Sequence, residues 1–155
     1  MPCNVGNHVL RCEGVSVVRR TFNATLQSGG CKFSCPSCRA PMQWMVVRHI
    51  LSSVMSASEL NGSLASVNKN FKLQELKGCG TKTIASVTGC PNTRACPRCG
   101  ALIYHIDQCK HMPCTTCGSS FCFVCLGLQN SDKTWPCGSS SDQCYVAPRQ
   151  TFIPN

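Results

Sequence analysis

Three observations predict a small metal-stapled α+β fold. The chain carries sixteen cysteines in 155 residues, aromatic residues make up only 6% of it, and four Cys-x-x-Cys pairs recur along it. A chain of this make-up buries too little apolar surface to fold unaided and depends on staples. The expected form is irregular loops and short β-hairpins around metal sites that follow one another along the chain, with one amphipathic helix. The N-terminus shows no charged region followed by an apolar run, so no secretory signal is expected. No stretch reaches the length of a membrane span; the longest mainly apolar segment, near 44–55, contains Arg48 and His49. The expected compartment is therefore the reducing cytoplasm or nucleus, with no membrane partner, and there cysteines at this spacing hold zinc rather than disulfides.

The formal charge of +9 counts every thiol as neutral. A zinc ion bound by four thiolates carries about −2, so two such sites lower the balance to about +5. The remaining basic residues are scattered rather than arranged as a stripe with interleaved aromatics, and nucleic acid is not an expected partner.

Residues 1–58 read as one zinc region with a helix at its end. Cys35-Pro-Ser-Cys38 is a zinc knuckle, and Cys3 and His8 can supply the other two ligands; the alternative is that only Cys35 and Cys38 bind metal. Cys12 and Cys31 lack two further partners for a site of their own. Val17, Val18, Phe22 and Leu26 recur at roughly helical spacing. From Pro41 to about Ala57 the pattern predicts the best helix of the chain. Pro41 would take the first helical position, and Trp44, Val47, Leu51, Val54 and Met55 would form one apolar stripe. Residues 59–92 read as a linker, broken at Asn61-Gly62-Ser63, with a helical turn at Leu73 and Leu76 that Gly78 would end. Cys79 and Cys90 have no Cys-x-x-Cys partner there. Residues 148–155 read as a tail.

Residues 93–147 carry the densest chemistry. Cys96 and Cys99 with Cys114 and Cys117 make one four-thiolate set, and Cys122 and Cys125 with Cys137 and Cys144 make a second. The sets follow one another rather than interleave, and strands are expected at 101–106 and 120–124. This assignment leaves Cys109 over, with His111 two residues on. A set with Cys109 in place of Cys114, or with His111 bound and one cysteine free, satisfies tetrahedral geometry equally well. The other reading is a free thiol whose proton a nearby imidazole can take, with the Lys110 charge favouring the thiolate.

Thr93-Arg-Ala-Cys-Pro-Arg-Cys-Gly, then Asp107-Gln-Cys-Lys-His-Met-Pro-Cys, Cys117 and Phe121-Cys-Phe-Val-Cys-Leu126 resemble the second RING (RING2) of RING-between-RING (RBR) ubiquitin ligases, over about 50 residues. The resemblance implies a zinc-dependent ubiquitin transferase. An E2 enzyme would pass ubiquitin to Cys109 as a thioester, His111 would assist, and a lysine of a protein substrate would take it. The position where some members carry an acidic residue to orient that histidine is Ser120. The 1–58 region resembles the C-terminal half of a first RING (RING1) without its opening ligand pairs, and 59–92 does not accommodate a whole in-between domain. The expectation is a fragment or a short form of such a ligase.

Two other classes fit parts of the pattern. An inert zinc interaction module would have Cys109 metal-bound or buried. A nucleic-acid-binding zinc ribbon would need Lys and Arg aligned with exposed aromatics, whereas Tyr104, Phe121 and Phe123 are expected to pack between the zinc sites.

Overall fold

The computed structural model describes residues 14–154. Cys3, His8 and Cys12 lie outside the described residues. The chain divides into two compact units, one ending at Phe71 and one beginning at Lys72.

In the first unit, α1 (Val15–Gln27) buries Val18 and Phe22, one helical turn apart on one face. Two-residue strands β1 (Phe33–Ser34) and β2 (Pro41–Met42) pair antiparallel around the Cys35-Pro-Ser-Cys38 turn. Helix α2 (Trp44–Leu51) follows and buries Val47, Ile50 and Leu51. Phe22 lies at the centre of an aromatic group, 5.0 Å from Phe33 and 5.4 Å from Trp44 between ring centroids. These rings are worth more than their buried area alone, since offset and tilted pairs align the ring quadrupoles.

The long helix predicted from Pro41 is shorter than expected and starts later. Pro41 stands opposite Ser34 in β2 instead of opening a helix. Closing the cysteine turn requires extended chain on both sides of it, and that demand overrides the helical preference of 41–43. The buried stripe of α2 accordingly runs through Val47, Ile50 and Leu51, with Trp44 only partly covered and Val54 exposed.

Residues 59–92, read as a linker, are ordered throughout. Helix α3 (Ala57–Gly78) opens with a reciprocal capping box. The Ser56 N–H donates to Glu59 Oε2 at 2.7 Å, and the Glu59 N–H donates to Ser56 Oγ at 3.2 Å. Leu60 and Val67 join the core of the first unit. Asn70 Nδ2 donates to the carbonyls of Leu26 and Gly30, which satisfies the C-terminal end of α1. The helix ends at Gly78, where the sequence places a stop. The β3–β4 hairpin follows (Thr81–Ile84 and Val87–Pro91). Ala85 and Ser86 both have positive φ at its turn, the twist a two-residue hairpin needs.

The second unit continues with two more hairpins, β5 (Thr93–Ala95) with β6 (Leu102–Tyr104) and β7 (His111–Pro113) with β8 (Ser120–Cys122). Its core is Ile84, Cys90, Phe121, Phe123 and Val124 together with the metal-ligand cysteines. Tyr104 departs from expectation. It is exposed, and its hydroxyl donates to Glu75 at 3.5 Å. Residues 148–154 are a strap rather than a loose tail. Gln150 exchanges two 2.8 Å hydrogen bonds with the backbone of Ala95, and Ile153 is buried with Leu76 and Ala95. Gly100 lies under this strap at φ +71°, where an added Cβ would run into Ile153 and Pro154.

Candidate functional site

Four turns of the chain share one backbone geometry. In each, the N–H of the first cysteine donates to the carbonyl five residues on, and its carbonyl accepts from the N–H four residues on. The pairs are Cys35 with Ala40 and Arg39, Cys96 with Ala101 and Gly100, Cys114 with Ser119 and Gly118, and Cys122 with Gly127 and Leu126, all at 2.7–2.8 Å. The fourth residue after the first cysteine has positive φ in every case: Arg39 (59°), Gly100 (71°), Gly118 (73°) and Leu126 (65°). Turns of this shape converge both sulfurs on one point. Cys35-Pro-Ser-Cys38 is thus built like the three turns of the second unit, although its remaining expected ligands, Cys3 and His8, fall outside the described residues. Arg39 holds the left-handed conformation without being glycine, which costs about 1 kcal/mol or more. Arg39→Gly is therefore expected to raise the stability of the first unit by about 0.5–1 kcal/mol, measured as a higher denaturation midpoint.

The structure brings together the two cysteine sets read from spacing. Cys96, Cys99, Cys114 and Cys117 have all their sulfurs within 4.8 Å of one another, as do Cys122, Cys125, Cys137 and Cys144. A zinc–sulfur bond of about 2.3 Å places the corners of a tetrahedron about 3.8 Å apart. The observed sulfur separations are 3.8 Å for Cys96–Cys117, 3.6 Å for Cys99–Cys114 and 3.8 Å for Cys122–Cys144. The residues fit zinc in both places, and zinc is the cofactor of this fold. Four thiols crowded this closely do not all ionise together when no cation sits among them, so some are shifted down and others up. Burial, followed by contact with the neighbouring thiols, pushes Cys99 and Cys144 up to about 12. Zinc binding must expel those protons, so affinity falls as the pH falls.

The clusters differ in their surroundings. In the first, Ser119 Oγ lies 2.9 Å from Cys117 Sγ, and this contact is the main reason the Cys117 thiol is lowered to about 6. In the second, the fully buried Lys110 donates from Nζ to the Asp142 carbonyl, and its charge favours the Cys144 thiolate. The Lys110 ammonium, expected to act on Cys109, is thus committed to the second cluster, where it offsets part of the negative charge of a zinc–thiolate centre. Arg94, also fully buried, donates from Nε to the Phe123 carbonyl at 3.1 Å and from Nη1 to Pro148 at 2.6 Å. Its Nη2 reaches Val124 at 3.0 Å and Ala147 at 2.6 Å. It joins the Cys122–Cys125 turn to the C-terminal strap.

Cys109 belongs to neither cluster and is exposed. It sits on the loop between β6 and β7, which is tethered at both ends. The His105 N–H donates to Asn92 at 2.9 Å, and the Phe123 N–H donates to the Lys110 carbonyl at 2.6 Å. Lys82 Nζ reaches the carbonyls of His105 (3.5 Å) and Asp107 (3.3 Å). His111 begins β7. Its ring lies flat against Trp135, 3.7 Å between centroids and 2° between planes, and its Nε2 is 3.7 Å from Cys137 Sγ. Burial first, and the Lys110 charge second, lower its pKa.

The two other cysteines of the second unit stand apart. Cys90 is buried, and burial raises its pKa despite the nearby Arg94, the setting of an inert thiol. Cys79 accepts from Arg149 Nη1 at 2.7 Å. Sequence reasoning missed the roles of Arg94, Lys82 and Trp135; Lys82 and Trp135 lie outside the quoted motifs, Arg94 only flanks the cysteines of one, and their partners lie far along the chain. Among the described residues no helix is long and apolar enough to cross a membrane.

The profile of the IBR domain, a half RING-finger domain, matches residues 77–137. The match takes in the β3–β4 hairpin, the whole first cluster and three ligands of the second. The chain is 31% identical over 62 residues to the E3 ubiquitin-protein ligase dbl4 of Schizosaccharomyces pombe, covering 39% of this chain and 12% of that protein. It is 44% identical over 36 residues to the E3 ubiquitin-protein ligase RNF14 of Mus musculus, covering 23% and 7%. It is 38% identical over 72 residues to the E3 ubiquitin-protein ligase ariadne-1 of Drosophila melanogaster, covering 44% and 13%. The chain thus spans about an eighth or less of the length of these relatives. No solved structure matches it. Two successive four-cysteine zinc centres in and beside the matched region, and E3 ubiquitin-protein ligases among the proteins it is similar to, support a place in the RING-between-RING family.

Proposed function

We propose that residues 93–147 form a RING2-type transfer module in which Cys109 carries ubiquitin. The observation that carries this reading is that Cys109 is exposed on a tethered loop while eight neighbouring cysteines are gathered into two metal centres without it. In the first step the Cys109 thiolate attacks the carbonyl of an E2–ubiquitin thioester, the new C–S bond forms, and the E2 cysteine leaves as a thiolate. In the second step a lysine amine of the protein substrate attacks the Cys109 thioester. The C–N bond forms, Cys109 leaves as a thiolate, and the amine gives up a proton to His111. Trp135 holds the His111 ring from one face, which supports an oriented base where Ser120 stands in place of an acid. The 1–58 region, with its Cys35 turn, is proposed as the RING1-like part, and the cytoplasm or nucleus as the place of action.

The test is a charging assay with ubiquitin-loaded E2 on the zinc-loaded chain. A reductant-sensitive ubiquitin adduct is expected on the wild type and none on Cys109→Ala, with the zinc content of both equal. No adduct on a folded, zinc-loaded wild type would favour an inert zinc interaction module. A fall in zinc content for Cys109→Ala would make Cys109 a ligand and end the proposal.

A further inference from the structure

We infer that His105 and Asp107 are positioning residues for Cys109, an inference that rests on the transfer role proposed above. The Cys109 peptide is gripped on both sides. Its carbonyl lies 2.8 Å from His105 Nε2, and its N–H donates to Asp107 Oδ1 at 2.8 Å. A carbonyl only accepts, so the His105 ring carries its proton on Nε2 and donates it to Cys109. The same Asp107 oxygen lies 3.9 Å from that nitrogen, so one imidazole and one carboxylate close around a single residue.

The grip is anchored in the core. The His105 side chain is wholly buried, and its ring packs 4.7 Å from that of Phe123, inside the Cys122–Cys125 turn of the second zinc centre. Its Nδ1 is buried with no hydrogen-bond partner among the described residues. A buried unpaired nitrogen is a cost to the fold. A phenyl ring would fill the same space without that cost, so packing alone does not account for a histidine here. What the imidazole adds is the Nε2 donor to Cys109. Fixing both polar groups of the Cys109 peptide fixes the direction of its Cα–Cβ bond, and the thiol then points outward from a rigid platform. For attack on a large, slowly tumbling thioester such placement matters, since a misplacement of about 1 Å can cost about 100-fold in rate.

The experiment compares His105→Phe, His105→Gln and Asp107→Ala in the full zinc-loaded chain. Phe keeps the ring against Phe123 and removes the donor; Gln keeps a donor. Asp107 is exposed, so its replacement leaves the core untouched. The readouts are zinc content, hydrogen exchange of peptides covering 105–110, and the rate of ubiquitin loading against E2–ubiquitin concentration. His105→Phe is expected to lower the maximal loading rate about tenfold at an unchanged half-saturating concentration, with faster exchange in the loop and full zinc. His105→Gln should restore the rate to within about threefold, and Asp107→Ala should slow loading about threefold or more. Wild-type loading matched by His105→Phe and Asp107→Ala overturns the inference and leaves the transfer role standing. Loading lost equally in His105→Phe and His105→Gln also overturns it. If His105→Phe loses zinc, Asp107→Ala decides: an unchanged rate there overturns the grip. A wild type that takes no ubiquitin removes the transfer role, and this inference falls with it.

Discussion

Replacing Cys96 by serine is expected to remove one of the two zinc ions of the C-terminal unit and to unfold the region built on it. Cys96 is fully buried, its N–H and carbonyl close the first turn, and its sulfur is 3.8 Å from that of Cys117. Structural zinc supplies about 10–16 kcal/mol in small zinc-dependent modules. A domain's whole stability is about 5–15 kcal/mol, so no repacking compensates for losing one centre. Zinc counted per chain should fall by one, and hydrogen-exchange protection of β5, β6 and β7 should vanish. Chelation of the wild type should reproduce the effect more readily at lower pH, because the raised thiols of Cys99 and Cys144 take back protons as metal leaves. Full zinc and native protection in Cys96→Ser would mean that another cysteine replaces it. A further loss on adding Cys109→Ala would then identify that substitute.

The second large effect is expected at Arg94. Its guanidinium spends four hydrogen bonds on the carbonyls of Phe123, Val124, Ala147 and Pro148. Arg94→Met fills much of the space but leaves these oxygens facing an apolar side chain, and hydrogen bonds from a charged donor in a buried site are strong ones. The expected loss is about 3–5 kcal/mol. Arg94→Lys should recover only a minor part, since one ammonium does not reproduce a planar fork. Denaturant midpoints measure the loss, and hydrogen exchange should place it in the strap at 147–153 while the zinc content stays that of the wild type. A midpoint for Arg94→Met within about 1 kcal/mol of wild type would show that burying the guanidinium costs as much as its bonds return.

What the sequence revealed was local, and what it concealed was distant. A Cys-x-x-Cys turn is complete within six residues, so both four-cysteine sets and the surplus Cys109 could be read from spacing. Arg94 reads as an ordinary charged residue before a cysteine because its acceptors lie 29 to 54 positions on. Helix α3 shows little apolar periodicity and contains Gly62, so its pattern resembles a linker. The Ser56-x-x-Glu59 box was the available sign of its start. Pro41 misled in the other direction, since its fixed φ suits a helix opening as well as the extended edge of β2. His105 gave no sign at all, because its meaning depends on the fold that brings Phe123 beneath it.

The succession of the two metal centres has a consequence for how the chain assembles. The first centre draws its ligands from 96–117 and the second from 122–144, with no overlap. Each loop is short, and closing a short loop costs little entropy. A nascent chain can therefore capture its first ion before the ligands of the second have been synthesised, and no cysteine of one centre has to wait for its partners across the other. Contacts of this kind favour fast, stepwise folding. The strap comes last: only when Ala147 and Pro148 reach Arg94 is the second centre bolted to the strand that opens the first.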